Sequence, residues 1–389
     1  MMASCAANGQ FLAQASIRRP VRVEIFGRAD DSTAFAMVNR YWLASLAQVD
    51  GLQIRCVERQ EDLSEEADFI IWHSYEDDFE AFQAPAAGQF IAVRTWDFGP
   101  FPPSWVRKIT RECDRLWVHT EWIRQQAIIA GVPGERIAVI PHGVSTEIFS
   151  PQGQRYPLPD NKQFYFLIAG ATIRRKGFDL ALSAYLSAFS PEDGACLVVK
   201  DRPADIFYAG LDHSDEIRRQ QAHLGSGSLV YIRQHLSPAE LASLYRSCDL
   251  CVYPYRAEGF GMMILESMAC GTPCIVPRFG ACLDYCHDEN AILVQPKRIQ
   301  LPVKKTMPYN TLGFAVEVEQ VDFCEIPVAR LAAVMRDAFQ AGRDALQPLS
   351  CAAAASVHEN FQWRNASCKI IAEFNHLAGK TPIRFLPAE

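Results

Sequence analysis

Two carboxylates, Glu258 and Glu266, bracket a glycine-containing turn that reads Glu-Gly-Phe-Gly-Met-Met-Ile-Leu-Glu. The turn follows an apolar strand-like run and opens a helical stretch. Gly259 and Gly261 would let a ligand approach the backbone, and the free N–H groups of a helix N-terminus attract anions. Carboxylates at such a place can accept hydrogen bonds from ribose or sugar hydroxyls. Two glutamates at this spacing more often lie on a solvated helix face, but the glycines and the preceding strand favour a binding site.

A basic turn, Gly170-Ala-Thr-Ile-Arg-Arg-Lys-Gly177, lies between another apolar strand-like run and another helical stretch. Arg174, Arg175 and Lys176 therefore stand beside a helix N-terminus, where side-chain charge and helix dipole both attract an anion. The turn predicts a phosphate site. A solvated basic turn would have the same sequence, and the basic residues alone do not decide between the two interpretations.

Both turns belong to a pattern of strands alternating with helices, which predicts α/β domains with mostly parallel sheets. The pattern begins at Val21–Phe26, restarts at Phe164–Ala169 after a linker rich in Pro, Gly and Asn at Ser150–Asn161, and weakens over 296–325. With 389 residues the chain is too long for one core. We predict two Rossmann-like domains facing across a cleft, divided into a loose leader (1–20), a first domain (21–155), a second domain (156–355) and a C-terminal segment (356–389).

Composition excludes several classes of function. The formal net charge of −7 argues against a nucleic-acid partner. No apolar run reaches the roughly 18 residues of a membrane span, and the leader lacks an apolar signal-peptide core, so we expect a cytoplasmic protein. Its thirteen cysteines are then mostly free thiols. Pairs such as Cys270/Cys274 leave a zinc site as an alternative, which small buried thiols explain better. Neither strand–helix turn contains Gly-x-Gly-x-x-Gly, which counts against a nicotinamide dehydrogenase.

The segment Glu258–Glu266 resembles the Glu-x7-Glu motif of retaining GT-B glycosyltransferases, specifically glycosyltransferase family 4. Other stretches resemble family segments in the same order, over about residues 90–375: Ile140–Phe149, Arg175–Leu180, Leu236–Tyr245 and Phe361–Trp363. The resemblance implies a first domain that binds the acceptor, a second that binds the donor, and a C-terminal helix that crosses back to the first domain.

The resemblance also implies roles for individual residues. Glu266 would bind the ribose hydroxyls of a nucleotide-sugar donor, and Glu258 would lie beside the transferred sugar. Lys176 and a neighbouring arginine would neutralise the diphosphate leaving group, so we expect neither a metal nor a cofactor. The other donor-binding positions are Gly170, Lys200 and the backbone amides of Phe260, Gly261 and Met262.

The chain departs from the family at the basic turn. Ala171 occupies a position where the family often has arginine, so another residue must supply that charge. Adjacent side chains tend to point apart, and we therefore expect Arg174, rather than Arg175, to share the phosphates with Lys176. On this interpretation Arg175 is a surface residue.

A second departure concerns the first domain. Where many members have a histidine after the fourth strand, this chain has Trp96-Asp97, and we expect Asp97 to be catalytic. We place Ser32, Trp96 and His73 on the acceptor side. The aromatic loop around Trp96 could stack on an acceptor sugar or could equally be a packed loop.

These observations predict a metal-independent glycosyltransferase that transfers a hexose-type sugar, with retention, to a glycan, lipid-linked sugar or small hydroxyl acceptor. Alternatives are a non-catalytic nucleotide-sugar-binding subunit and a sugar phosphorylase or epimerase of the same fold. A peripheral membrane contact is also open, through four cations near one helix face; a plain solvated face is the competing interpretation. Those cations are Arg107, Lys108, Arg111 and Arg115.

Overall fold

The computed structural model has two α/β domains joined by a linker. It describes residues 19–30, 33–74, 79, 81–86, 88–159, 162–201, 213–224, 228–302, 318–378 and 384–385, and every structural statement below concerns these residues. Within them, no helix is both long enough and apolar enough to cross a membrane.

The first domain is built on a parallel sheet. Its elements are β1 (Val21–Phe26), α1 (Ala34–Leu46), β2 (Val49–Asp50), β3 (Leu52–Val57), β4 (Phe69–Trp72), β5 (Gln89–Val93), α2 (Pro103–Glu112), β6 (Arg115–Val118), α3 (Glu121–Ile129) and β7 (Ile137–Val139). The six-stranded sheet has the order β3-β1-β4-β5-β6-β7. Thr33 and Thr120 cap α1 and α3, because each side-chain oxygen accepts a hydrogen bond from an otherwise free helical N–H.

The second domain repeats this design. Its elements are β8 (Phe164–Gly170), α4 (Phe178–Ala188), β9 (Ala195–Asp201), α5 (Ser214–Leu224), β10 (Leu229–Ile232), α6 (Pro238–Ser247), β11 (Leu250–Val252), α7 (Met262–Ala269), β12 (Cys274–Pro277) and β13 (Ile292–Val294). The six-stranded parallel sheet has the order β10-β9-β8-β11-β12-β13. The predicted pair of Rossmann-like domains is confirmed.

A pair of antiparallel strands follows the second sheet. These strands, β14 (Lys297–Pro302) and β15 (Gln320–Glu325), are here called the arm. Val321 and Phe323 of β15 are buried in the core of the first domain, where Phe323 packs edge-on against Phe98. The weak periodicity of this segment gave no sign of the arm, because Val321 and Phe323 pack on residues of the other domain.

The C-terminal helices return the chain to the first domain. Helix α8 (Val328–Asn360) is broken at Gly342, and α9 (Trp363–Ala378) follows. On the first domain, Phe374 stacks on Phe69 with ring centroids 4.4 Å apart, so the predicted crossing helix is confirmed. A short strand, β16 (Arg384–Phe385), pairs with β2.

Cysteines contribute to the core of the second domain as thiols. Cys251 and Cys274 face each other on neighbouring strands, and both are buried. The described part of the chain contains no group of three or more His, Cys, Asp or Glu residues arranged to hold a metal ion.

Candidate active site

The basic turn forms one turn of 3₁₀ helix, Arg174–Lys176, between β8 and α4. We call it the cation turn. Gly177 ends it with a left-handed φ of 74°, and a Cβ atom there would overlap the carbonyl oxygen of Pro254. Only glycine therefore fits at this position. A 3₁₀ helix has three residues per turn, so the three basic side chains leave it in three different directions.

Arg175, not Arg174, points into the protein. Its Nη1 donates to Asp97 Oδ2 at 2.7 Å and to the carbonyl oxygen of Ala257 at 3.1 Å. Arg174 is exposed, with its Nε 3.6 Å from a carboxylate oxygen of Asp179. The expectation that Arg175 is a surface residue was wrong. The charge that attracts it inward, Asp97, belongs to the other domain and could not be located from the turn itself.

Lys176 lies beside Glu258. The Nζ of Lys176 donates to Glu258 Oε2. Burial alone would raise the pKa of Glu258, but the charges of Lys176 and Arg175 lower it below its ordinary value. Burial raises the pKa of Asp97 even though Arg175 opposes the shift. The site therefore contains two cations and two carboxylates, paired with one another.

The loop before α7 passes close to the first domain. A Cβ atom on Gly259 would lie 2.5 Å from Asp97 Oδ1 and would also overlap the side chain of Thr95. Gly261 caps α7 in the left-handed conformation, and no side chain caps that helix. Tyr285 Oη donates to the carbonyl oxygen of Phe260 at 2.5 Å. These contacts fix the loop and leave the helix N-terminus, with Met262 as its first residue, beside the cation turn.

Glu266 lies about one turn after Met262, the first residue of α7, and is buried. Tyr245 Oη donates to its Oε2 at 3.2 Å. Burial raises the pKa of Glu266 to about 7, and the tyrosine opposes part of that shift. A carboxyl group in this position can accept hydrogen bonds from hydroxyl groups once it is ionised.

A cavity of about 30 Å³ joins the end of β8, the cation turn and the start of α7. Lys176, Glu258, Gly261 and Met263 line it. Gly170 borders the same region, because a Cβ atom there would lie 2.5 Å from Met263 Cε. The volume accommodates about one water molecule and is far smaller than a nucleotide sugar. The residues that line this cavity all belong to the second domain, and the first domain reaches the site through the contact of Asp97 with Arg175.

Lys200 and Asp201 form a neighbouring, internally paired group at the end of β9. Lys200 Nζ donates to the carbonyl oxygen of Asp201 at 2.6 Å. The side chain of Asp201 accepts from Tyr231 Oη at 2.7 Å and from the backbone N–H of Thr172 at 3.3 Å. Lys200, which we expected to bind the donor, is buried and is absent from the lining of the cavity.

The aromatic loop of the first domain is packed. Trp96 is 2% exposed, donates from Nε1 to the carbonyl oxygen of Pro100 at 3.0 Å and packs edge-on against Phe98 and Trp105. Its assignment to the acceptor side was wrong, because the ring is buried and its N–H is already used, so the packed-loop interpretation holds.

His73 is a core residue at the end of β4. It is 1% exposed, and its Nδ1 lies 2.6 Å from Asn39 Oδ1. Burial, together with His119 and Arg94, lowers its pKa well below the ordinary range. A direct contact with an acceptor is therefore not supported. Ser32, the third expected acceptor-side residue, lies outside the described residues.

The basic residues near α2 do not form one free surface. Lys108 is buried and donates to Glu112 at 2.7 Å and to the carbonyl oxygen of Phe82. Arg115 forms a two-bond pair with Glu373 of α9 at 2.7 and 2.9 Å. Two of the four cations are thus held by partners inside the protein, so neither the membrane contact left open above nor a plain solvated face describes all four.

Arg256 is a residue that the sequence argument missed. Its side chain is 3% exposed and lies between the cation turn and the arm. A charged residue inside the otherwise uncharged run Leu250–Ala257 was the available signal, because arginine is rarely fully buried unless it is paired.

Comparison with known proteins agrees with this architecture. Residues 154–306 match the family model described as glycosyl transferases group 1. Among solved structures, Anabaena HepE in complex with UDP and glucose has a TM-score of 0.66 at 13% identity, over 92% of this chain and 100% of that one. Sucrose-phosphate synthase from Thermosynechococcus elongatus has a TM-score of 0.64 at 14% identity, over 93% and 100%. The chain has the GT-B fold.

Curated relatives are similar to part of the chain. The chain is 30% identical over 198 residues to D-inositol 3-phosphate glycosyltransferase of Acidothermus cellulolyticus, which is 48% of this chain and 43% of the relative. The enzyme of that name from Mycobacterium tuberculosis strain H37Ra is 30% identical over 191 residues, 47% and 38% of the two chains. The chain thus matches less than half the length of these relatives. Its similarity to group 1 glycosyl transferases in the family model lies in residues 154–306, which include most of the second domain's sheet.

Proposed function

We propose that the protein is a retaining glycosyltransferase that moves a hexose-type sugar from a nucleotide sugar to a hydroxyl acceptor. The observation that carries this proposal is the pair of cations, Arg175 and Lys176, held beside Glu258 at the uncapped N-terminus of α7. Fixed cations and free N–H groups at one point suit a diphosphate leaving group. The match of residues 154–306 to a glycosyltransferase family supports the same conclusion.

The chemistry requires charge stabilisation at the leaving group. The bond between the anomeric carbon and the diphosphate oxygen breaks while the acceptor oxygen forms a bond to the same carbon. The acceptor proton passes to the departing phosphate, which keeps attack on the same face of the sugar. Lys176 and Arg175 stabilise the negative charge that grows on the phosphate. The protein's own cations fill this role, and we propose that no metal ion is needed.

In this proposal the two carboxylates change partners when the donor binds. Glu258 pairs with Lys176, and Asp97 pairs with Arg175, in this structure. An arriving diphosphate replaces them at the cations, and the carboxylates become acceptors for sugar hydroxyls. Glu266, further along α7, accepts from the ribose hydroxyls. The cations stay paired with negative charge before and after binding, and the displaced carboxylates keep hydrogen bonds through the sugar hydroxyls.

The test is a transfer assay on the purified protein with UDP-, GDP- and ADP-glucose. UDP-glucose comes first because the fold neighbour HepE was solved with UDP and glucose. Inositol phosphates are the first acceptors, since the curated relatives are named for D-inositol 3-phosphate. Proton NMR of the product anomeric centre reports retention or inversion. We expect transfer with retention that persists in excess EDTA.

Other outcomes identify the alternatives. Donor binding in a thermal-shift assay without transfer or donor hydrolysis indicates a non-catalytic binding subunit. Dependence on inorganic phosphate indicates a phosphorylase, and release of a free epimer indicates an epimerase. Loss of activity in EDTA that Mg²⁺ or Mn²⁺ restores contradicts the metal-independent mechanism.

A further inference from the structure

Arg256 connects three parts of the molecule through one buried guanidinium group. Its Nη1 and Nη2 donate to the two carboxylate oxygens of Asp179, on the first turn of α4, at 2.7 and 2.9 Å. Nη1 also donates to the carbonyl oxygen of Arg174 at 2.6 Å. Nε donates to Glu325 Oε2 of the arm at 2.7 Å.

The cation turn is held by both the side chain and the backbone of Arg256. The backbone N–H of Arg256 donates to the carbonyl oxygen of Arg175 at 2.8 Å. The side chain binds the carbonyl oxygen of Arg174 and the carboxylate of Asp179, which lie before and after Lys176. The direction in which Lys176 and Arg175 leave the turn therefore depends on Arg256.

Arg256 does not itself bind the diphosphate in this arrangement. Four of the five N–H groups of its guanidinium already donate, to Glu325, to Asp179 and to the carbonyl oxygen of Arg174. Its side chain is nearly inaccessible and does not line the cavity. Removing it would act on the donor only through the residues that it holds.

The arm extends this connection to the first domain. The backbone N–H of Cys324 donates to the carbonyl oxygen of Arg256 at 2.9 Å, and that of Asp322 donates to the carbonyl oxygen of Phe98 at 3.0 Å. Phe98 follows Asp97, the partner of Arg175. The contacts form a closed ring that runs from the cation turn through Arg256 and the arm to the loop of Asp97, and back to the cation turn.

We propose that Arg256 is a positioning residue that aims the cation turn at the diphosphate of the donor, with the arm as its support. The inference rests on the function proposed above. A residue that holds a catalytic group within a fraction of an ångström can affect turnover strongly without touching the substrate.

The test is Arg256→Lys, which keeps the charge but loses the planar fork that binds Asp179, the carbonyl of Arg174 and Glu325 together. Arg336→Lys is the matched control, because Arg336 also binds a carboxylate, Asp193, and a carbonyl oxygen in the second domain, but lies away from the cation turn. Calorimetry measures binding of UDP, GDP and ADP and of the matching monophosphates. The variants are then compared on the nucleoside diphosphate that the wild-type protein binds most tightly and on the monophosphate of the same nucleoside.

We expect Arg256→Lys to weaken the binding of the diphosphate about tenfold and the binding of the monophosphate less than about twofold. It should also lower kcat for donor hydrolysis by on the order of tenfold to a hundredfold. Arg336→Lys should change neither affinity. If Arg256→Lys does not fold, Asp179→Asn should give the same selective loss, since it removes the carboxylate that holds the guanidinium. Equal losses for both nucleotides, or none, overturn the positioning role. A wild-type protein that binds none of the diphosphates overturns the proposed function instead, and the positioning role with it.

Discussion

Asp97 and Arg175 belong to different domains and meet at 2.7 Å, with Arg175 Nη1 donating to Asp97 Oδ2. The pair lies beside Lys176 and Glu258, so the cations proposed to bind a diphosphate are already bound to carboxylates. Under the proposed function, donor binding therefore involves an atom pair that joins the two domains. This relationship yields the first two predictions.

Alanine substitutions in the cation turn should differ sharply in effect. Lys176→Ala should lower kcat by on the order of a hundredfold to a thousandfold, as for loss of one preorganised transition-state donor. Arg175→Ala should lower kcat and also the free energy of unfolding, by about 3 kcal/mol, because it leaves Asp97 buried and unpaired. Arg174→Ala, the matched control, should stay within about 0.5 kcal/mol of wild type. Steady-state kinetics measure kcat, and urea unfolding measures the free energy of unfolding. A larger loss of either quantity in Arg174→Ala than in Arg175→Ala would contradict the inward position of Arg175.

Asp97→Asn should separate donor affinity from turnover. The substitution removes the carboxylate that competes with phosphate for Arg175, so nucleoside diphosphates should bind more tightly, by a few-fold to about tenfold. Turnover should fall, because the amide accepts hydrogen bonds from the sugar less strongly. Calorimetry gives the affinity and donor hydrolysis gives kcat. Weaker diphosphate binding in this variant would mean that Asp97 does not compete for the site.

Donor affinity should depend on the ionisation of Glu266, whose pKa burial raises to about 7. Ribose hydroxyls donate to the carboxylate, so UDP affinity should rise as pH passes from about 6 to about 8 and then level off. The stability of the protein without donor should change in the opposite direction. Because the folded pKa of Glu266 lies above its unfolded value, the free energy of unfolding should fall by about 3 kcal/mol as pH rises from about 4.5 to about 7. Glu266→Gln should abolish both dependences, measured by calorimetry and by unfolding across that range. A dependence that persists in the variant must come from another group.

Gly259→Ala should push the domains apart. The new Cβ atom would lie 2.5 Å from Asp97 Oδ1 and overlap Thr95, so the loop before α7 must move away from the first domain. We expect a cost of about 1–3 kcal/mol in stability and a clear fall in turnover. Gly134→Ala is the control, since its nearest neighbour would be 3.4 Å away. Thermal unfolding and donor hydrolysis measure the two effects, and equal behaviour of the two variants would show that close contact at Gly259 is unimportant.

The parts of the site that depend on local sequence could be predicted. The glycine turn before α7, the basic turn after β8 and the alternation of strands and helices are all set by residues that are close neighbours in the chain. Arg175 could not be assigned in this way, because its direction is fixed by Asp97, which lies in the other domain. The arm was missed for the same reason, since Phe323 packs on Phe98. Trp96 shows the reverse error, where an aromatic residue near the cleft forms part of the core.

Helix α9 has a consequence for the synthesis of the protein. Trp363, Ile370 and Phe374 complete one core of the first domain, yet roughly 220 residues separate them from β7, the last strand of that domain's sheet. At a translation rate of roughly 5–20 residues per second, the first domain waits on the order of ten seconds or more for its final helix. During that time, the apolar face that α9 will cover is exposed on the nascent chain. A chaperone that binds this face on ribosomes would protect the first domain until the second has been made.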